Sequence, residues 1–128
     1  MRALLDTHVL LWWMADDGRL STRARSVLGD RDTTLLWSTA STWELAIKCS
    51  LGKVTLPGPL GAYLETRLSQ QGIELLPVAQ AHAVAVGALP MHHRDPFDRM
   101  LVAQAQTEGL ALVTGDPAIA AYAVAVEW

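Results

Sequence analysis

The sequence predicts an α/β fold in which a parallel sheet carries helices on both faces. Short apolar runs alternate with amphipathic segments along the whole 128-residue chain, which is the pattern of strand–helix–strand units. The runs are continuous, as in Ala3-Leu4-Leu5 and Leu110-Ala111-Leu112-Val113, so they suit strands buried on both faces. Several runs stop at a residue able to open the next helix, such as Asp6 or Asp116. The length fits one domain, residues 1–128, and no internal repeat, low-complexity segment or linker divides it.

The first strand is Ala3-Leu4-Leu5, ending at Asp6-Thr7. Val9 to Met14 continues as an apolar helix with Trp12 and Trp13 side by side. Adjacent helical side chains diverge by about 100°, so either one tryptophan faces the core and the other a partner, or both lie in one broad core. Asp16-Asp17-Gly18 is a turn. A polar helix then runs from Leu20-Ser21-Thr22 to about Gly29, with Ala24, Val27 and Leu28 inward. Arg19, Arg23, Arg25 and Arg31 read as its solvated face.

Thr34 to Ser38 is the second strand. Ser41-Thr42-Trp43-Glu44 fits a capping box at the next helix start; Trp43 reads as core, the alternative being a hydrophobic groove, with Trp12 and Trp13, for a partner segment. Residues 54–61 hold two prolines and two glycines and form a connector. Leu60 to Gln71 is an amphipathic helix stopped by Gly72, and Ile73 to Val78 is the third strand. Ala79 to Ala88 is a small-residue helix carrying His82, read as partly exposed.

The next helix has the clearest start. Asp95 fits its N-cap, Pro96 its first position and Asp98 its third. Both acids then lie against the positive end of the helix dipole. Phe97, Leu101 and Ala105 share its inner face, and Gly109 ends it. Leu110 to Thr114 is the fourth strand. Asp116-Pro117 repeats the cap-and-proline start, and Val124 to Val126 is a last short strand.

Composition excludes several classes. The chain is 51% hydrophobic and 18% charged with net charge −3, so it is neither disordered nor a bulk-cationic nucleic-acid binder. With four carboxylates gathered in one site, the remainder of the −3 chain carries about +1, a weakly basic rim around an acidic pit. Cys49 is the only cysteine, so neither an intrachain disulfide nor a cysteine zinc site is available. Met1-Arg2-Ala3-Leu4-Leu5-Asp6 lacks a signal-peptide core, and no apolar run approaches a membrane span. A cytoplasmic protein with no membrane partner is expected.

Asp6 and Asp116 follow strands, Glu44 lies at the start of a helix after a strand, and Asp98 lies in the first turn of another helix. In open α/β sheets, function gathers beyond the carboxyl ends of the strands. Each acid has its own capping explanation. Four meeting there would repel one another without a cation, and oxygen ligands suit Mg²⁺ or Mn²⁺. Such a site serves metal-assisted phosphodiester hydrolysis.

The segments Leu4-Leu5-Asp6-Thr7-His8, Ser41-Thr42-Trp43-Glu44-Leu45, Asp95-Pro96-Phe97-Asp98-Arg99-Met100-Leu101-Val102-Ala103-Gln104-Ala105 and Leu112-Val113-Thr114-Gly115-Asp116 occur in the order seen in PIN-domain ribonucleases. Together they make the chain resemble the VapC toxins of bacterial type II toxin–antitoxin systems over nearly its whole length. The resemblance implies a three-layer α/β/α sandwich around a mainly parallel sheet, a Mg²⁺-dependent (Mn²⁺ possible) endoribonuclease, and Asp6, Glu44, Asp98 and Asp116 as catalytic and metal-site acids. It also implies an RNA substrate, a cognate VapB-type antitoxin and a homodimer. Thr7, Asp95 and Thr114 flank the acids as candidates to orient the metal's waters or support the ligands. Lys48, Lys53, Arg94 and Arg99 are the nearest candidate RNA contacts, with His92 and His93 able to help. Adjacent side chains diverge, so His92-His93 is a poor metal pair.

Three other readings compete. A phospho-accepting receiver domain wants paired acids after its first strand and a late lysine, but Asp6 stands alone and no lysine follows Lys53. A HAD-like phosphatase wants a second aspartate at position 8, which is His8. A PIN-like domain that binds RNA or a partner without cutting would keep the fold, and nothing in the four acids favours it.

Overall fold

The computed structural model describes residues 1–128. Its elements are β1 (Arg2–Leu5), α1 (Thr7–Met14), α2 (Thr22–Gly29), β2 (Thr34–Ser38), α3 (Thr39–Ser50), α4 (Leu60–Gln71), β3 (Glu74–Leu76), α5 (Gln80–Val86), α6 (Pro96–Glu108), β4 (Ala111–Val113), α7 (Pro117–Ala120) and β5 (Val126–Glu127). The five strands form one parallel sheet in the order β3-β2-β1-β4-β5. The α/β class and the parallel sheet are as the alternation predicts.

Side chains alternate across each strand, and this divides the interior in two. Ala3, Leu5, Leu35, Trp37 and Val113 face a core completed by Val9 and Leu10 of α1, Ala24 and Val27 of α2, Leu45 of α3 and Leu64 and Leu68 of α4. Leu4, Leu36 and Leu112 lie side by side in register and face the opposite core. That core is completed by Leu101, Val102 and Ala105 of α6 and Ile119 of α7. These are the three layers of the expected sandwich. Each fully buried leucine stabilises it by about 1.5–3 kcal/mol.

The central strand sets the location of the site. β1 is paired on one side with β2 and on the other with β4, so Ala3 stands opposite both Leu35 and Ala111. The direction of strand order reverses between β1 and β4. A crevice opens at the carboxyl ends there, because the two chains leave the sheet in opposite directions.

Most helix ends follow sequence chemistry. Ser21 caps α2 through the Ala24 amide. Gly72 and Gly109 end α4 and α6 in the left-handed conformation, at φ 62° and 67°. The last strand lies at Val126–Glu127 rather than Val124–Val126.

Three expectations need correction. The start of α3 is capped by Ser38, whose hydroxyl accepts the Ala40 amide, so Ser41 and Glu44 are not a capping box. β2 runs straight into the helix, which moves the start three residues earlier and carries Glu44 into the second turn. Trp43 is 63% exposed instead of core, meeting Phe97 edge-on at 5.0 Å. His82 is buried, with Nδ1 accepting the Ala79 amide and Nε2 2.7 Å from Glu108 of α6. It joins α5 to α6, a long-range role that local periodicity does not reveal.

Candidate active site

Asp6, Glu44, Asp98 and Asp116 line one cleft of about 450 Å³, together with His8, Trp12, Arg19, Lys48, His93, Asp95, Gly115, Pro117 and Trp128. The cleft sits at the strand-order reversal. The four acids thus share one space despite being separated by up to 110 positions in the chain.

Asp6 is the first residue after β1. Its amide still donates to Val113 of β4 at 3.1 Å, which extends the sheet ladder by one step. Its Oδ2 accepts the Thr114 hydroxyl at 2.8 Å. Burial raises the Asp6 carboxyl above its ordinary range; hydrogen bonding by Thr114 and the charge of His8 oppose the rise.

Glu44 reaches the cleft from the second turn of α3 and is 3% exposed. The buried Thr7 hydroxyl donates to its Oε1 at 2.7 Å and lies 2.8 Å from the Ser41 hydroxyl. Lys48, one turn further along α3, is paired with Oε2. Burial lowers the Lys48 ammonium, but its bond to Glu44 and the charges of Glu44, Asp95 and Asp98 raise it overall.

Asp95 is the N-cap of α6, and its Oδ1 accepts the amides of Phe97 and Asp98 at 2.8 and 3.1 Å. Asp98, in the first turn, is therefore fixed in direction by the cap. Its carboxyl is pushed up to about 7, first by burial and then by the charges of Asp6, Asp95 and Glu44, with His93 opposing. Asp116 caps α7 through Oδ1, which accepts the Ala118 amide at 2.9 Å. Its own amide donates to Thr114 Oγ1 at 3.1 Å, so one threonine braces both Asp6 and Asp116.

His93 supplies the remaining contact, and the sequence reading had assigned it only a helping role toward RNA. Its Nε2 lies 2.8 Å from Oδ2 of Asp116 and 3.0 Å from Oδ2 of Asp98. Its Nδ1 accepts the Asp95 amide at 3.1 Å. A nitrogen that accepts carries no proton, so Nε2 bears the hydrogen and donates toward the two acids. Burial lowers the His93 imidazolium, while its bond to Asp116 and the charges of Asp98, Asp116 and Asp95 raise it overall. His92 turns away and packs edge-on against Tyr122, 4.9 Å between centroids, as neighbouring side chains must. The one sequence signal for His93 was its place two residues before the Asp95 cap.

The candidate RNA contacts separate. Lys48 lines the cleft, whereas Lys53 and Arg94 are exposed but do not line it. Arg99 is buried: its guanidinium donates to the carbonyls of Pro90, Val86 and Leu89 and to the Tyr122 hydroxyl. It holds the loop before α6 and is unavailable to a nucleic acid. Arg19 is solvated, as the sequence predicts, and also lines the cleft.

Chemically, the arrangement is an excess of carboxylate oxygens, with Lys48 and His93 against the acids and Arg19 on the cleft wall. Burial, with neighbouring carboxylates, raises the carboxyls of Asp6 and Asp98 and so disfavours their charged forms. Such a donor set fits a hard divalent cation.

The family model described as "PIN domain" matches residues 3–125. The chain is a PIN domain. It is 32% identical over 114 residues to Ribonuclease VapC22 of Mycobacterium tuberculosis, spanning 88% of this chain and 85% of that protein, which places the PIN domain among the VapC proteins. Solved structures share its fold. The VapBC2 structure from Rickettsia felis, described as bound to a promoter DNA fragment, has a TM-score of 0.73 at 16% identity and covers 99% of this PIN domain and 98% of that chain. A toxin–antitoxin complex from Klebsiella pneumoniae has a TM-score of 0.64 at 20% identity, with 97% and 94% covered.

Proposed function

We propose that this PIN domain is a divalent-metal-dependent endoribonuclease and the toxin of a type II toxin–antitoxin pair. The observation that carries the reading is the meeting of Asp6, Glu44, Asp98 and Asp116 in one cleft at the carboxyl ends of β1 and β4. The name of the curated relative, a ribonuclease, agrees with it. The solved complexes of the same fold support an antitoxin of VapB type as the partner. The proposal extends to a homodimer, which the family resemblance implies, and to action in the cytoplasm, as expected from the sequence. No helix is long and apolar enough to cross a membrane.

Asp6, Glu44, Asp98 and Asp116 are the groups that would hold Mg²⁺, or Mn²⁺ in its place. When bound, the ion lowers the pKa of a water and neutralises charge on the attacked phosphate and the leaving oxygen. The protein's part is to place the acids. Thr7 and Lys48 orient Glu44, Thr114 orients Asp6 and Asp116, and Asp95 fixes the turn that presents Asp98. His93 holds Asp98 and Asp116 at one N–H. Lys48, at the cleft wall, offers positive charge to the RNA backbone.

The test is cleavage of a mixed cellular RNA pool by wild type and Asp98→Asn side by side, with Mg²⁺, with Mn²⁺ and with EDTA. Fragments made only by wild type and only with metal support the reading. Equal cutting by both proteins, or metal binding without any cutting, sinks it.

A further inference from the structure

The cleft has two unlike halves. The acids, His93 and Lys48 form one. The other is built from the side chains of His8, Trp12, Arg19 and Trp128. We propose that this second half is a nucleobase subsite, taking one unpaired base of single-stranded RNA beside the phosphate that sits over the acids. The proposal rests on the nuclease reading and assigns where the substrate's base goes.

The aromatic surface is prearranged. His8 and Trp12 are one helical turn apart on α1 and stack with centroids 5.9 Å apart and planes 23° apart. Trp128 lies 6.2 Å from Trp12 at 57° and is 36% exposed. The Arg19 guanidinium lies 4.9 Å from the Trp12 centroid. Asp17 holds it in a fork through Nε and Nη2, at 3.1 and 2.7 Å. That grip leaves the Nη1 hydrogens free to reach a base edge.

The wall is also tied to the acids. A Cβ at Gly115 would come within 2.5 Å of the Trp128 indole, so glycine is what lets Trp128 lie on the loop carrying Asp116. The stacking surface and an acid therefore share one short segment. A phosphodiester placed over the carboxylates has a ribose and base attached, and the aromatic half lies next to it in the same cavity. Stacking on such rings is open to every base, since each has a π-face, and an arginine beside it adds cation–π attraction. A base already stacked in a duplex cannot reach the wall, so the subsite selects unpaired RNA over duplex.

The experiment measures binding of short, unstructured fluorescent oligoribonucleotides to the Asp98→Asn protein in Mg²⁺, each carrying an abasic residue at one successive position. The expected result is a loss of about ten-fold in affinity at one or two adjacent positions, falling below about two-fold when Trp128→Leu is added. Gly115→Ala, which pushes the indole aside, is expected to erase the same penalty. Circular dichroism checks that each variant is folded. Equal affinity for every abasic position would overturn the subsite while leaving the nuclease reading intact, because phosphates alone would then hold the RNA. An abasic penalty that survives both variants places the base elsewhere and also overturns it. If no RNA binds and wild type cuts none, the nuclease reading fails with it.

Discussion

The Nδ1 atom of His93 accepts the backbone N–H of Asp95 at 3.1 Å. This one bond decides what the histidine can do. It leaves the proton on Nε2, which faces Asp98 and Asp116, so the imidazole acts as a donor rather than a metal ligand. His93 thus partly fills the place of a cation. His93→Ala is expected to lower the stability of metal-free protein by about 1–2 kcal/mol, as a charge-assisted bond is lost. It should tighten Mn²⁺ binding several-fold, since the carboxylates lose a competitor. Thermal unfolding in EDTA and calorimetric titration with Mn²⁺ read the two effects. Weaker Mn²⁺ binding would instead mark His93 as a ligand.

Stability without metal depends on pH in a defined direction. Burial and the charges of neighbouring carboxylates push Asp98 up to about 7 from its ordinary 3.8, so the folded state holds its proton more tightly. The stabilisation is fully present below about pH 4 and is lost as pH rises through 7. His93 is also raised from 6.5, but protonating it puts a hydrogen on Nδ1 and breaks the Asp95 bond, so Asp98 carries the dependence. The melting temperature in EDTA is therefore expected to fall between pH 5 and 7 as the folded state loses the Asp98 proton, on the order of 1–2 kcal/mol after allowing for partial solvation of Asp98. Asp98→Asn should flatten that slope and raise the melting temperature at pH 8. A slope unchanged in Asp98→Asn would assign the dependence to other groups.

The Thr7 hydroxyl is the buried donor to Glu44 Oε1. Thr7→Val keeps the volume but leaves a buried carboxylate oxygen short of a partner, at a cost of about 1–3 kcal/mol. Cleavage should fall with stability, and Thr7→Ser should recover most of both. Denaturant unfolding and RNA cleavage are the measurements; a Thr7→Val protein of wild-type stability and activity would remove the threonine from the site.

Arg99 and Lys53 separate structure from binding. Arg99→Ala removes donors from three carbonyls and the Tyr122 hydroxyl in a buried setting, and a loss of about 3 kcal/mol is expected. Lys53→Ala, on an exposed position outside the cleft, should change stability by less than about 0.5 kcal/mol. RNA affinity of the folded fraction should stay near wild type in both. Chemical denaturation and RNA-binding titrations at one salt concentration decide it.

The sequence exposes the parts of this molecule that obey local rules. Asp95, Asp98 and Asp116 declare themselves by cap-and-proline chemistry, and Asp6 by ending an apolar run. All four are where that logic puts them. Glu44 reaches the cleft, but from one turn deeper, because Ser38 competes with Ser41 for the cap and wins at the end of β2. What was illegible depends on distant partners. Arg99 looks like a free cation until the carbonyls of residues 86–90 close on it. His82 looks exposed until Glu108 arrives from another helix. Trp43 looks like core because nothing local reveals that α3 turns that position outward.

The central place of β1 has a consequence for how the cleft comes into being. β1 pairs with β4, which follows it by more than a hundred residues. Contacts of such long sequence separation form slowly. A ribosome adding about 5–20 residues per second leaves several seconds between the emergence of Asp6 and that of Asp116. During that interval β1 has one neighbour, and the acids it will gather are still apart. The cleft is therefore incomplete until the last third of this sequence, with Asp98 and Asp116, has been translated.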